Sequence, residues 1–176
     1  MDGSVIFLDL ATTTGWCVGV PGEKPISGSI RLGYQGCTPE EKGAALFNFL
    51  SPRLMAFRHR MLVFEAPLDP RQMGRTTNAA TARTLIGLAF MAGSVASLTN
   101  TRYREANVSE VRKFILSGSR PPKGEAKNAV MKVVRTLGYD FKDDNEADAI
   151  AGWLHATAIL SPATGHQTAP LFRNGR

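Results

Sequence analysis

Two short apolar segments that each contain a carboxylate near the end constrain the fold of this chain most. Val5 to Leu10 has the sequence VIFLDL, which includes Asp9, and Met61 to Glu65 has the sequence MLVFE. Runs of this length and composition predict buried β-strands. A charged group in so apolar a run is costly to bury unless something compensates it. We therefore expect a central sheet with Asp9 and Glu65 at its surface.

A third carboxylate, Asp148, lies in the segment DDNEADAIAGWLHA. The apolar positions after it predict a helix that packs on the sheet. Asp144 and Asn145 precede Asp148 by four and three residues, so either can share a helical face with it. Acids near a helix N-terminus also stabilise the helix dipole, which is an alternative explanation for this segment. For Asp9 the alternative is a capping role in the following ATTTG turn, and a lone Glu at a strand end is usually solvated.

Taken together, the three acids favour a site for divalent metal ions. Mg²⁺ and Mn²⁺ prefer oxygen ligands, and a two-metal site uses several carboxylates around ions about 3.5–4 Å apart. One ion activates a water and the other stabilises the leaving oxygen when a phosphodiester is cut. Zinc would require a cluster of His and Cys, but Cys17 and Cys37 are the only cysteines and have no CxxC spacing.

The composition agrees with a soluble protein that binds a polyanion. The 176 residues have a formal net charge of +6 and a sequence pI of about 9.7, which suits nucleic acid. We expect one domain over residues 1–160 and a flexible tail over residues 161–176, which are rich in Pro, Gly and Thr. The N-terminus lacks a signal-peptide pattern, and the apolar stretch Thr84 to Leu98 is short of a membrane span, so we expect a cytoplasmic protein without a membrane partner.

The predicted elements form a mixed α/β pattern. An opening antiparallel meander precedes strands joined by parallel crossovers, with helices flanking a five-stranded sheet. The predicted strands span residues 5–10, 16–20, 26–32, 61–65 and 102–106. The predicted helices span residues 38–58, 78–98, 108–117, 123–137 and 145–160, and Trp16, Trp153 and His155 are assigned structural roles.

Four segments together resemble the RuvC-type Holliday junction resolvases, in particular the phage-type branch. They are DLATTTGW, VFEAP, the K-x-F-x-x-x-G-like stretch Lys113 to Gly118, and NEADAIA, and their order and spacing match over about residues 5 to 157. The resemblance implies an RNase H-like fold and a homodimer that uses Mg²⁺, or Mn²⁺, to nick symmetric strands of four-way DNA junctions. It also implies a bacterial or phage-infected host cell as the setting.

The resemblance assigns Asp9, Glu65 and Asp148 to the metal-binding acids of the family. The family usually has an acid, sometimes His, three residues before the last Asp, and this position is Asn145 here. Asn145 can supply a carbonyl oxygen, while the neighbouring Asp144 can supply a charge, and we favour Asp144. Lys113 and Lys123 stand at the positions of family lysines near the scissile phosphate, where they would stabilise negative charge during catalysis. The residues predicted to contact DNA are Arg71, Arg75, Arg83, Lys113, Arg120, Lys123 and Lys127.

Other functions are compatible with parts of the sequence. The D-x-x-T-T-x-G pattern from Asp9 to Gly15 is similar to the first phosphate loop of actin-like ATPases, but those enzymes need two such domains. A non-catalytic junction-binding protein would have a metal site that has decayed at Asn145. A nuclease with a broader range would cut flaps, forks or other branched DNA. The helix over residues 78–98, rich in Ala, Gly and Met, is the predicted dimer contact.

Overall fold

The computed structural model describes residues 3–67 and 79–163. Within these ranges the strands are β1 (Val5–Asp9), β2 (Thr13–Gly19), β3 (Ile26–Arg31), β4 (Met61–Glu65) and β5 (Tyr103–Ala106). The helices are α1 (Pro39–Ala56), α2 (Ala79–Leu98), α3 (Val108–Ile115), α4 (Ala126–Thr136) and α5 (Asp144–Leu160). Arg71, Arg75 and most of the predicted tail lie outside the described residues.

The strands form one mixed sheet with the order β3-β2-β1-β4-β5. β1, β2 and β3 pair antiparallel, whereas β1 pairs with β4 and β4 with β5 in parallel. This confirms the predicted five-stranded sheet with an antiparallel meander followed by parallel strands. Since β1 and β4 are parallel neighbours, their carboxyl ends lie at the same edge of the sheet.

Each face of the sheet is covered by a different set of helices. Val5, Phe7 and Val63 alternate with Ile6 and Leu8 along the strands, so the two groups point to opposite faces. The first group packs with α3, α4 and α5, and the second with α1 and α2. A residue two positions beyond Phe7 or Val63 therefore faces α5, and those residues are Asp9 and Glu65.

Helix α5 is the central element of the first face. Trp153 is 1 % exposed and its indole Nε1 donates a hydrogen bond to the Val5 carbonyl at 3.1 Å. This confirms the predicted core role of Trp153. Trp16 is half-buried on the other face and its ring lies 6.0 Å from that of Phe49.

Several element boundaries differ from those predicted. β2 begins at Thr13 rather than Trp16, because the residues predicted as a turn pair with β3. α4 begins at Ala126 rather than at residue 123, since Gly124 adopts a φ of +90°, which interrupts a helix. α3 ends at Ile115, where Ser117 and Gly118 turn to positive φ.

Helix α2 is the apolar helix predicted as the dimer contact. By length and composition it could cross a membrane, and it is the one such helix among the described residues. It packs against α1, β4 and β5 instead of standing alone. Its buried side, which includes Leu88, Ala92 and Val95, belongs to the core of the second face.

Candidate active site

Asp9 and Glu65 lie side by side at the carboxyl ends of β1 and β4. The parallel register pairs Leu8 with Phe64, so one residue further along places the two acids next to each other. Both side chains are partly buried, and their carboxyl groups are in hydrogen-bonding contact. The predicted convergence of the two strand acids is therefore present in the fold.

The contact strongly changes the protonation of Asp9. Burial, followed by the hydrogen bond and charge of Glu65, raises the pKa of Asp9 from 3.8 to about 8. Lys127 opposes this shift with its positive charge, and Asp144 adds to it. Two buried carboxylates in contact repel each other, so the pair retains a proton near neutral pH.

Asp148 faces the same cluster from α5. Its pKa is raised to about 6, first by burial and then by the charge of Asp9, while Lys127 and Arg112 lower it. Asp148 and the strand acid Glu65 line the same small cavity, which places the helix acid beside the strand acids. The three predicted metal-binding acids thus come together from three separate elements.

The other acids at the start of α5 have structural partners. Asp143 caps the helix by accepting a hydrogen bond from the Glu146 backbone N–H, and it also accepts one from the Ser29 hydroxyl. Glu146 is 5 % exposed and accepts hydrogen bonds from the Ser27 hydroxyl at 2.7 Å and the Lys142 backbone at 2.9 Å. These contacts attach the first turn of α5 to β3 and leave Asp144 and Asp148 for the acid cluster.

Asp144 forms an ion pair with Lys127 of α4. The Lys127 Nζ lies 2.6 Å from Asp144 Oδ2, and both side chains are about half exposed. The hydrogen bond holds the pKa of Asp144 below its usual value and raises that of Lys127. Asp144 also acts electrostatically on Asp9 and Asp148, so it belongs to the cluster.

Asn145 takes a different position from Asp144. Its side-chain nitrogen donates a long hydrogen bond of 3.4 Å to Asp144 Oδ1. Its backbone carbonyl meets β2, where a Cβ added to Gly15 would lie 1.9 Å from the carbonyl oxygen. Asn145 thus marks a close backbone approach of α5 to β2, and its neighbour Asp144 carries the negative charge at this position.

Gly15 is a site residue that the sequence interpretation missed. It pairs with Asp9 in the β1–β2 ladder and lies directly under the first turn of α5. A glycine inside a strand can mark a close backbone approach, and that signal was available in ATTTGW. The absence of a side chain at Gly15 lets the helix acids reach the strand acids.

Arg112 is the second missed residue. It lines a small cavity at the acid cluster together with Glu65, Val111, Val130 and Asp148, and its charge lowers the pKa of Asp148. No ion pair to Arg112 is present among the described residues. The spacing of α3 could have identified Arg112. It follows Val111 directly and lies four residues after Val108, beside the apolar side of the helix.

The other predicted basic residues line a different groove, have a different partner or are exposed. Lys113 lines a shallow groove with Arg104, Phe114 and His155 instead of the cavity with Glu65 and Asp148. Arg83 forms an exposed ion pair with Glu40 at 2.8 Å. Arg120 and Lys123 are exposed in the segment between α3 and α4.

His155 has a structural role, as the sequence suggested. It lies two helical turns after Asp148, is 9 % exposed, and contacts Phe114 with a ring-centroid distance of 5.2 Å. Burial lowers its pKa. Lone buried histidines of this kind fill space in a core, and His155 is not in the acid cluster.

The donor set suits a hard divalent cation. The converging groups are carboxylates that are partly buried and repel one another. A bound divalent cation would offset this repulsion and the cost of burying the negative charges. Within residues 3–67 and 79–163, no three acidic, histidine or cysteine side chains already surround one point as ligands would. Asp9 and Glu65 contact each other, and Asp144 bonds to Lys127.

If the chain cleaves DNA junctions, as its sequence predicts, substitution of Arg112 by Gln should lower the cleavage rate about 10²-fold, as loss of one donor that stabilises developing charge does in other active sites. The matched control is Arg102→Gln, an exposed arginine directly before β5, at the edge of the sheet opposite the acids. Single-turnover cleavage rates of the two variants would test the prediction. Equal rates for Arg112→Gln and wild type would contradict it.

The comparisons with known proteins bear on the fold. No family model matches the sequence, and no curated protein matches it. Among solved structures, Thermus thermophilus RuvC is similar with a TM-score of 0.65 at 17 % identity, covering 92 % of this chain and 98 % of that one. T. thermophilus RuvC in complex with a Holliday junction substrate has the same TM-score and identity, covering 90 % and 95 %. The yeast mitochondrial Holliday junction resolvase Ydc2 has a TM-score of 0.60 at 14 % identity, covering 91 % and 81 %.

The similarity extends over about nine-tenths of the chain. At sequence identities of 14–17 %, the similarity shows a shared arrangement of strands and helices and does not show a shared activity. Together with the mixed sheet order, it confirms the RNase H-like class predicted from the sequence. This chain has the fold of the RuvC-type resolvases.

Proposed function

We propose that this protein is a metal-dependent endonuclease that cleaves four-way DNA junctions. The observation that supports this most is the convergence of Asp9 and Glu65 from parallel strands with Asp148 from α5. The acids repel one another in a partly buried site, which is the charge arrangement that divalent cations stabilise. The basic residues at and near this cluster suit a polyanionic substrate.

Asp9, Glu65 and Asp148 would hold one Mg²⁺ or Mn²⁺ ion, and Asp144 would contribute to a second. Such ions supply an activated water and stabilisation of the leaving oxygen in phosphodiester hydrolysis. Arg112 would contact a phosphate oxygen and stabilise its charge through guanidinium donors. Lys123 and Arg120, both exposed, would contact the DNA backbone outside the reacting phosphate.

The test is cleavage of labelled DNA by the wild-type protein and by Asp9→Asn. We expect Mg²⁺ or Mn²⁺ to support nicking of a four-way junction, linear duplex to remain intact, and EDTA to stop the reaction. Asp140→Asn, an exposed acid outside the cluster, is the matched control and should retain activity. Junction binding without cleavage in either metal would contradict an enzymatic role and favour a junction-binding protein.

The same assay, run on several branched DNA substrates, tests whether the enzyme is specific for four-way junctions. Flaps, forks and three-way junctions are cleaved more slowly than the four-way junction if the enzyme is a dedicated resolvase. Equal rates on all branched DNA would assign the broader nuclease activity in its place. In either case the proposed setting is the cytoplasm of a bacterial or phage-infected cell, where such DNA is made.

We further propose that the protein acts as a homodimer, which would nick two symmetric strands of one junction. The outer surface of α1 and α2 supports this because it exposes large apolar side chains that a monomer would leave in water. Phe90 is 75 % exposed and Leu98 is 77 % exposed on α2. Phe47 and Ile86 add to this surface, which we call the α1–α2 apolar surface.

Replacing Phe90 by Glu is expected to convert a dimer to a monomer, because two buried charges would face each other across a two-fold axis. Sedimentation velocity measures the change in mass directly. Ile159→Glu is the control, since Ile159 is 46 % exposed on α5, which packs on the opposite face of the sheet. A wild-type protein that sediments as a monomer at all concentrations would contradict the proposed assembly without affecting the metal site.

A further inference from the structure

Among the described residues, Lys127 is the cation that forms an ion pair with a carboxylate of the acid cluster. Its Nζ bonds to Asp144 Oδ2 at 2.6 Å. Its charge also acts on Asp9 and on Asp148, so one ammonium group affects all three carboxylates. Lys127 lies in the first turn of α4, which begins at Ala126, so the backbone that presents it is helical and anchored by the buried Val130 and Val134.

The ion pair between Lys127 and Asp144 matters more because the next residue is the uncharged Asn145. A residue at that position lies three residues before Asp148, and here it supplies no charge. Asp143 and Glu146 are already bonded to serine hydroxyls of β3. Asp144 is therefore the carboxylate in this helical turn that is available to an added cation, and Lys127 already bonds to it.

We propose that Lys127 and the second divalent ion compete for Asp144, so that Lys127 sets how tightly this ion binds. The inference rests on the proposed function only in taking the acid cluster as a metal site. Lys127 acts through Asp144 and is a positioning residue in this role. When the second ion binds, the ammonium group leaves Asp144 and becomes available to a DNA phosphate.

The sign of the effect follows from charge. An ammonium group and a divalent ion cannot both bond closely to one carboxylate without repelling each other. Removing the ammonium frees Asp144 and removes that repulsion, so the affinity for the ion rises. A merely structural role for Lys127 would have the opposite consequence, because a disordered Asp144 would bind the ion more weakly.

The experiment measures Mn²⁺ binding to the metal-free full-length protein by electron paramagnetic resonance and calorimetry at constant ionic strength. We expect a tighter and a weaker class of site in the wild type. In Lys127→Met the weaker class should bind about fivefold tighter or more, which is the factor that corresponds to an exposed ion pair of about 1 kcal/mol. Lys127→Arg should behave like the wild type, because it retains a cation that can bond to Asp144.

The Asp144→Asn variant tests whether Lys127 acts through Asp144. It should remove the weaker class whether residue 127 is Lys or Met, and it should leave the tighter class in place. Lys132→Met, an exposed lysine on the same helix, is the matched control and should leave both classes unchanged. Thermal unfolding of each variant shows that it is folded, and a half-exposed ion pair predicts only a small change in stability.

Three results would overturn the proposal. They are unchanged or weaker binding in Lys127→Met, equal tightening by Lys127→Met in the Asp144→Asn background, and a single class of site in both wild type and Lys127→Met. Each is independent of DNA cleavage. An inactive protein that nevertheless shows competition would contradict the proposed function and support this inference, and an active protein without competition would do the reverse.

Discussion

Replacing Gly15 by Ala is expected to destabilise the protein by about 3 kcal/mol or more and to lower junction cleavage at least about 100-fold. The new Cβ would lie 1.9 Å from the Asn145 carbonyl oxygen and 2.5 Å from the carbonyl carbon. These atoms belong to the backbone of α5, so a side-chain rotation cannot relieve the overlap. The helix must shift, and Asp144 and Asp148 shift with it relative to Asp9.

Gly87→Ala is the matched control for this substitution. Gly87 lies in α2, and a Cβ added there has nothing within 4 Å. Alanine in a helix is favoured over glycine by about 1 kcal/mol, so this variant should be as stable as the wild type or more so. Urea unfolding measures both variants, and activity is compared where both are folded. A Gly15→Ala protein of wild-type stability would show that α5 does not depend on the close approach.

Replacing Asp9 by Asn is expected to abolish cleavage while stabilising the metal-free fold at alkaline pH. The pKa of Asp9 is raised from 3.8 to about 8 in the folded state, so folding favours the protonated acid. A carboxyl with a raised pKa contributes stability that is present at low pH and is lost as the pH rises through the folded-state value. Asn does not ionise, so this loss should be absent from the variant.

The measurement is the free energy of unfolding in EDTA between about pH 4 and pH 9. One group can contribute a slope of up to about 1.4 kcal/mol per pH unit between its two pKa values. Wild-type stability should fall toward alkaline pH, and the fall should be smaller in Asp9→Asn. The shift of Asp148 to about 6 adds to the slope in the lower part of this window, and in Asp9→Asn the part caused by burial remains while the part caused by the Asp9 charge is lost. Parallel curves would contradict a buried, repelling pair at Asp9 and Glu65.

Added Mg²⁺ should oppose the loss of wild-type stability at alkaline pH. A ligand that binds only the folded state stabilises it in proportion to its affinity, and binding to ionised carboxylates is strongest where the acids are deprotonated. Added Mg²⁺ should therefore restore wild-type stability most at the alkaline end of the range. In Asp9→Asn the same addition should have little effect, because the strand acid that would bind the ion is gone.

Local patterns predicted much of the fold and of the site. The apolar segments at Val5 and Met61 specify buried strands by composition alone, and the alternation of side chains decides that Asp9 and Glu65 face the same way as Phe7 and Val63. The capping box of α1, in which Thr38 and Glu41 bond to each other's backbone, was similarly predictable because it involves four consecutive residues. These features depend on interactions between residues that are close in the sequence.

The roles of individual charges were harder to predict. DDNEAD contains four carboxylates, and only their three-dimensional partners separate them: Asp143 and Glu146 bond to β3, Asp144 to Lys127, and Asp148 faces Asp9. The same holds for the basic residues. The family resemblance places Lys113 near the scissile phosphate, whereas the cavity with Glu65 and Asp148 is lined by its neighbour Arg112, which points about 100° away from Lys113 around α3.

The five strands, their acids and the helix that brings Asp148 to them could be predicted from local patterns, because period, composition and turn chemistry act over short distances in the chain. The distance between α5 and the sheet and the pairing of each cation with a carboxylate depend on the packing of separate elements. The first depends on the missing side chain of Gly15, and the second on the packing of α4 that brings Lys127 within 2.6 Å of Asp144. Contacts between residues distant in the chain are set by the packing of whole elements, and no local pattern encodes them.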